Sequence, residues 1–336
     1  MRIDVHNHAM PEPALDLLRR EPVYGVTIQG DRISGGAHVP YTLVRSFYDP
    51  AAKLAELEAG GLEAAVVSVA PPLFYYEVDP EAGEAMCAAV NAGLRDFCAH
   101  SPDRLRWMAH VPLRRPRRAA EVLEEQRRAG CVGVEVASNV AGQRLDDPAL
   151  EPFWAAAERL RLPVMIHPAY NPAHPALGDW YLQNVIGNQL ETTVAIERLI
   201  CAGLLDRHPQ LVLVLVHAGG YFPYQAGRLR HARAVRPELA EAPADPWAYL
   251  GRLVFDTITH DRLALSYLVS RVGAENVVVG TDLPFDMASP RPWAELCAAL
   301  DPETARRVAE ENPARLYGFE PVPPLGAAGA EAEGGR

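Results

Sequence analysis

The run Ile3-Asp4-Val5-His6-Asn7-His8 carries two histidines one residue apart at the end of a β-like stretch. Side chains alternate faces along a strand, so residues i and i+2 point the same way. His6 and His8 therefore aim at one point past the strand's carboxyl end. Two neutral imidazoles converging on one point begin a metal site. The competing reading is a pair of surface histidines, and the rest of the chain weighs against it. Three further apolar runs end in possible ligands: Val164-Met165-Ile166-His167, Leu215-Val216-His217 and Val279-Gly280-Thr281-Asp282. Taken singly, each reads as a packed histidine or a turn aspartate. Their recurrence at successive strand ends favours a site.

Three imidazoles and a carboxylate suit one borderline divalent ion such as zinc, and manganese accepts the same donors. The expected ligands are His6, His8, His167 and Asp282, with room left for water or substrate. His217 would stand beside that open position as acid or base. A metal-activated water next to a histidine supports hydrolysis, hydration or proton transfer.

Such convergence needs a scaffold. Strands are expected at Arg2–His6, Ala64–Val69, Leu105–His110, Cys131–Ala137, Pro163–His167, Leu211–His217, Leu253–Thr257 and Asn276–Gly280. Amphipathic segments lie between most of them: 50–59, 80–99, 116–129, 148–160 and 191–205. Pro50, Pro80, Pro116 and Pro148 suit first-turn positions of helices. Strands alternating with helices imply parallel βαβ units, and eight of them imply an α/β fold, the (β/α)8 TIM barrel. An open doubly wound sheet is the second choice, but no Gly-x-Gly-x-x-Gly follows any strand. Active-site residues of a barrel sit at the carboxyl ends of its strands, where these four motifs fall. Residues 21–48 fit no barrel unit and read as a small β insertion after strand one. The barrel is expected over 1–319, and the Pro-, Gly-, Ala- and Glu-rich 320–336 as a disordered tail.

Composition narrows the function classes. The 336 residues are 49% hydrophobic, enough for a large core. The formal net charge is −11 and the longest basic cluster spans only Arg114–Arg118, which argues against nucleic acid or anionic membrane as a partner. The five cysteines are scattered with no Cys-x-x-Cys, as in reduced, mostly buried thiols of a cytoplasmic protein. Met1-Arg2 leads straight into the motif strand, so no leader is expected, and no apolar run approaches membrane-spanning length.

The motifs together are specific. Ile3–His8, Tyr48-Asp49-Pro50, Ile166-His167-Pro168, Glu191-Thr192-Thr193, His217-Ala218-Gly219-Gly220 with Phe222-Pro223 and Gly227-Arg228, Gly280–Phe285 and Asn312-Pro313-Ala314 resemble the amidohydrolase superfamily. The similarity is to the branch typified by aminocarboxymuconate-semialdehyde decarboxylase, and runs from about Met1 to Phe319. The resemblance implies one zinc or manganese ion on His6, His8, His167 and Asp282. It implies His217 as acid/base, Arg228 as a substrate-carboxylate anchor that crosses a dimer interface in some members, and a homodimer. Departures also matter. Tyr41 stands where the decarboxylase has an arginine, and Arg45 is the candidate substitute. Gln183-Asn184 and Ala169-Tyr170 replace the family's Pro-Trp and Trp-Asp, so a substrate different from the namesake's is expected.

Trp180 and Tyr181 could stack on a planar substrate, against packing on the barrel rim. Glu191 reads as a helix cap or as support for a ligand histidine. Asp286 reads as a turn residue and His110 as structural. His174 and His260 are loop residues on the mouth side, while His38, His100, His208 and His231 read as surface residues. The expected activity is metal-dependent, non-oxidative decarboxylation of a small aromatic or conjugated acid, a carboxylate substrate. Hydrolysis or hydration by metal-activated water on a lactone, amide, ester or alkene is the alternative. A silent binding protein is the third class, disfavoured by the intact ligand set.

Overall fold

The computed structural model describes residues 1–35, 41–169, 175–243 and 245–319. The 320–336 tail, His38, Tyr170 and His174 lie outside them. Eight parallel strands form one sheet: β1 Ile3–Ala9, β2 Ala64–Val69, β3 Leu105–His110, β4 Gly133–Ala137, β5 Val164–His167, β6 Leu213–Leu215, β7 Leu253–Asp256 and β8 Val277–Val278. Each pairs with its sequence neighbour. Backbone hydrogen bonds from Val5 N–H to Val279 O (2.9 Å) and from His8 N–H to Leu283 O (2.8 Å) join β1 to the β8 segment. The result is the expected (β/α)8 barrel.

A helix of the barrel's outer ring follows each strand: α1 Pro50–Ala59, α2 Pro80–Cys98, α3 Pro116–Arg128, α4 Glu151–Arg159, α5 Gln189–Cys201, α6 Phe222–Val235, α7 Arg262–Val272 and α8 Pro292–Ala299, with additional helices at Glu12–Arg20, Leu204–Arg207, Pro302–Arg306 and Asn312–Tyr317. Proline opens α1, α2 and α3, where its missing N–H costs nothing. Asp49, Asp79 and Asp261 cap α1, α2 and α7 by accepting first-turn backbone N–H groups. The 148–160 segment differs from expectation: Pro148–Leu150 is a short 3-10 turn, and α4 starts at Glu151.

Two apolar layers follow from strand alternation. Ala65, Val67 and Val69 of β2 pack outward with the helices, while Ala64 and Val66 join Ile3, Val5, Met108, Met165, Val214 and Val278 in a separate inner cluster. Tyr317 and Phe319 belong to that inner cluster. The expected insertion carries antiparallel strands Val26–Gln29, Arg32–Gly35 and Tyr41–Thr42. Cys87, Cys98 and Cys131 are buried free thiols. No helix among the described residues is long and apolar enough to cross a membrane.

The β1–β2 register holds the key to the site. Ile3 pairs with Ala64 and His8 with Ser68, so five steps on β1 match four on β2. The extra residue is a β-bulge between Asp4 and Asn7. Bulges re-aim side chains beside active sites. Strict alternation from the inward Ile3 and Val5 would turn His6 and His8 toward the helices. The bulge resets the phase, and both histidines enter the barrel.

Candidate metal centre and active site

His6 and His8 leave β1, His167 ends β5, His217 follows β6 and Asp282 follows β8. The rings of His6, His8 and His167 stand 5.0–5.3 Å apart, centroid to centroid. One donor atom from each of His6, His8, His167 and Asp282 lies within 4.8 Å of the others. Strand ends distant in sequence thus bring together the four residues expected as ligands.

Hydrogen bonds fix which nitrogen of each ring faces the centre. His6 Nδ1–H donates to Asp256 Oδ2 at 2.7 Å, His8 Nδ1–H to Val69 O at 3.0 Å and His167 Nδ1–H to Pro168 O at 2.9 Å. With each Nδ1 acting as donor, each Nε2 of the neutral ring presents a lone pair inward. His6 Nε2 and His8 Nε2 face each other at 3.1 Å, and His167 Nε2 is buried without a hydrogen-bond partner. Asp282 Oδ1 lies 3.0 Å from His8 Nε2 and 3.6 Å from His6 Nε2. Converging lone pairs and a carboxylate oxygen fit a divalent cation.

Electrostatics agree. Burial pulls imidazole pKa values down, yet the hydrogen bond to Asp256 and the charges of Asp282, Asp256 and Glu135 push His6 up to about 9. Burial holds His8 down at about 4 and His167 well below the usual range. Burial opposes the ionised form of Asp282, but hydrogen bonds from His217 and His8 hold its carboxyl well below the usual range. The carboxylates of Asp256 and Asp282 thus favour positive charge beside His6. A divalent cation supplies that charge.

His217 Nε2 sits 3.4 Å from Asp282 Oδ2, and its Nδ1 is buried without a partner. The backbone here is unusual. His217, Ala218 and Asp282 all adopt left-handed φ, at 52°, 57° and 63°. Such strain in non-glycine residues persists where surroundings over-determine it, typically at functional sites. Asp256 supplies much of that constraint. It accepts the backbone N–H of His217 at 2.9 Å and of Ala218 at 2.7 Å, besides the His6 ring.

Asp256 was not among the sequence candidates. Its signal was present, an aspartate closing an apolar strand as Asp282 does. Glu135 was also missed. It lies fully buried inside β4, with Oε1 4.0 Å from His8 Nδ1 and no hydrogen-bond partner among the described residues. Burial pushes its carboxyl up to about 8. A charged residue inside Val134-Glu135-Val136 was the available clue.

Two adjoining cavities of about 450 and 460 Å³ open on the centre and share Asn184, Asn188, His217, Asp282 and Met287. The first is walled by Tyr221, Tyr224, Ile258, His260 and Tyr267. Tyr41, Phe47, His167, Tyr181, Phe285 and Asp286 line the second. Tyr41 thus faces the site, its hydroxyl 3.6 Å from Met10 Sδ. Three other expected contacts lie elsewhere. Trp180 is 86% exposed and lines neither cavity, because a left-handed turn (φ 54°) leaves its ring in solvent, and Tyr181 takes the wall position. Arg45 is 75% exposed and pairs with Asp49 at the cap of α1. Arg228 is exposed on α6, lines neither cavity, and makes no hydrogen bond or ion pair among the described residues.

Glu191 makes no hydrogen bond to a candidate ligand histidine among the described residues. It accepts hydrogen bonds from Ser138 Oγ and Asn139 Nδ2, both at 3.0 Å, and Ser138 Oγ in turn accepts Ala169 N–H beyond β5. Asp286 accepts from Tyr181 at 3.3 Å. His110 is fully buried against Phe74 and Tyr76. His208 differs from its surface reading: it is buried between Glu151 and Glu158, at 2.9 Å from each.

Comparison with known proteins agrees with this architecture. The Amidohydrolase family matches residues 3–319. A 2-amino-3-carboxymuconate-6-semialdehyde decarboxylase of Dictyostelium discoideum is 28% identical over 338 residues, covering 97% of this chain and 92% of that protein. The crystal structure of 5-carboxyvanillate decarboxylase from Sphingomonas paucimobilis superposes with a TM-score of 0.82 at 23% identity, covering 95% of this chain and 99% of that one. The 5-carboxyvanillate decarboxylase of Novosphingobium aromaticivorans, complexed with manganese and 4-hydroxy-3-methoxy-5-nitrobenzoic acid, gives a TM-score of 0.79 at 20% identity, covering 95% and 96%.

Proposed function

We propose that this chain, which belongs to the amidohydrolase family, is a metal-dependent carboxy-lyase of a small aromatic or conjugated unsaturated acid. The observation that carries the reading is the convergence of His6, His8, His167 and Asp282 beside His217 at the floor of two aromatic-walled cavities. Relatives whose names describe decarboxylases of such acids support it.

His6, His8, His167 and Asp282 would hold one divalent ion, which supplies Lewis-acid stabilisation of negative charge on the substrate. The donor set suits zinc, and the manganese in a related structure makes manganese the competing occupant. The chain's own groups do the rest. His217 delivers a proton from Nε2 to the carbon that bears the carboxylate. A C–H bond forms there and conjugation is interrupted. The C–C bond to the carboxylate then breaks, its electron pair restores conjugation and CO₂ leaves. Net, one carboxylate and one proton become one C–H product and CO₂. Asp256 keeps the His6 ring and the His217 turn in place throughout.

The chain acts as a homodimer in this reading. Arg228 would then serve as a bidentate donor to a substrate carboxylate in the neighbouring subunit, a reading supported by its exposure on α6 outside both cavities and without a hydrogen bond or ion pair among the described residues. The test is CO₂ release by metal-loaded protein from hydroxylated and aminated aromatic acids and conjugated enoic acids, with Asp282→Ala as the blank. Release above the blank is expected. None, with one ion bound per chain, would assign the same site to hydrolysis or hydration.

A further inference from the structure

Lys53 is the one lysine among the 32 lysine and arginine residues of the chain. Its side chain is completely buried. Lys53 and Leu57, one turn apart, form the buried face of α1. An amphipathic helix ordinarily places an apolar side chain at such a position. Burying an ammonium is costly unless it is paired and hydrogen-bonded. A chain that otherwise uses arginine thus places its one lysine where a cation is hardest to keep.

Its partners lead to the metal centre. Lys53 Nζ donates to Glu56 Oε2 at 3.3 Å and to Leu283 O at 3.4 Å. Glu56 is fixed in turn, its Oε1 accepting Ser46 Oγ–H at 3.0 Å. Leu283 O also accepts the backbone N–H of His8 at 2.8 Å. Leu283 directly follows Asp282, and its N–H donates to Thr281 Oγ1 at 3.1 Å. Lys53 therefore reaches the carbonyl that ties the candidate ligand His8 of β1 to the candidate ligand Asp282 beyond β8. The charges of Asp4 and Asp282 act on the ammonium besides that of Glu56. A compact ammonium with three donors suits such an enclosed spot, whereas a planar guanidinium carries five N–H groups that would need partners.

We propose that Lys53 is a positioning residue of the metal centre: its ammonium holds the Leu283 carbonyl, and with it the His8 and Asp282 donors, at the spacing one ion requires. Glu56 matches the ammonium's charge locally, so losing Lys53 displaces the donors and weakens the ion's binding. The inference rests on the metal centre described above and is independent of the reaction assigned to it.

Metal binding tests it without turnover. Lys53→Met keeps the length of the side chain and removes its charge and donors. Competition with a chromophoric chelator should show zinc bound about tenfold more weakly by Lys53→Met. The visible spectrum of the cobalt-loaded variant should differ from wild type as well. Leu57→Ala loosens the same helix face and leaves the Lys53 contacts in place. Its urea midpoint should fall, while its zinc affinity stays within about threefold of wild type and its cobalt spectrum is unchanged. The proposal is overturned if Lys53→Met binds zinc within about threefold of wild type, or if Leu57→Ala weakens zinc binding as much. Where Lys53→Met does not fold, the wild-type protein carries the test. Grown with isotopically labelled lysine, it gives a single lysine resonance, which zinc should shift with saturation at one ion per chain; an unmoved resonance overturns the proposal. Asp282→Ala is titrated alongside. Zinc retained there sinks the ligand assignment, whereas zinc lost there and kept in Lys53→Met sinks this proposal alone.

Discussion

Asp256 Oδ2 lies 2.7 Å from His6 Nδ1 and 2.9 Å from the backbone nitrogen of His217, so one carboxylate orients a candidate ligand and the turn of the proposed acid/base together. Partners of this kind set the tautomer and basicity of a ligand histidine. Asp256→Asn should therefore weaken metal binding about 10–100-fold without unfolding the barrel. Chelator competition reads the affinity, and an unchanged value would remove Asp256 from the site.

Asp282→Ala and His167→Ala each delete one of four converging donors. Both should purify with little metal and no turnover, as read by elemental analysis beside CO₂ release. Full metal content with activity would dismantle the ligand assignment.

His217 is held next to Asp282 rather than within the group of four. His217→Ala should keep its metal while kcat falls by about 10²–10⁴, the range for a lost general acid or base. Wild-type kcat in a metal-replete variant would assign the proton to another group.

Gly280 brings the backbone of the β8 segment close against the centre. A Cβ there would stand 2.8 Å from Asp256 Cβ and 2.9 Å from His6 Cβ, contacts that real structures avoid. Gly280→Ala should cost about 1–3 kcal/mol by overpacking and should loosen the metal as well. Urea unfolding and metal titration on one preparation check both halves.

His110 carries a pH prediction. Burial lowers its pKa from 6.5 to about 4, so the unfolded chain binds the proton more readily than the folded one. Where the unfolded state binds more protons, stability rises with pH. The contribution is complete above pH 6.5 and is lost as pH falls through that value toward 4, by about 3 kcal/mol. His110→Phe should remove that part of the acid sensitivity. The check is the difference in unfolding free energy between pH 7 and pH 4.5 for the two proteins; equal slopes would refute the assignment.

Much of this was legible along the chain because barrels write their periodicity locally. Apolar strands, proline-led helices and aspartate caps are set by neighbouring residues, so the strand count and order could be read directly, with boundaries off by a few residues. The four expected ligands were legible because each closes an apolar strand. What the chain could not show is direction across space. Trp180 looked like a stacking ring, yet a left-handed turn exposes it. Arg45 looked like an anion anchor, yet it pairs with Asp49 four residues on. Asp256 and Glu135 looked like ordinary strand residues until folding set them beside His6 and His8.

The amino-acid sequence by itself determined that His6 and His8 share a face, since strand alternation has a period of two residues. Only the tertiary structure decided which face that is. One extra residue between Asp4 and Asn7, forced by pairing with β2, reverses the phase after Ile3 and Val5 and turns both imidazoles into the barrel. Register depends on the partner strand, and a one-residue shift moves every following side chain to the opposite side.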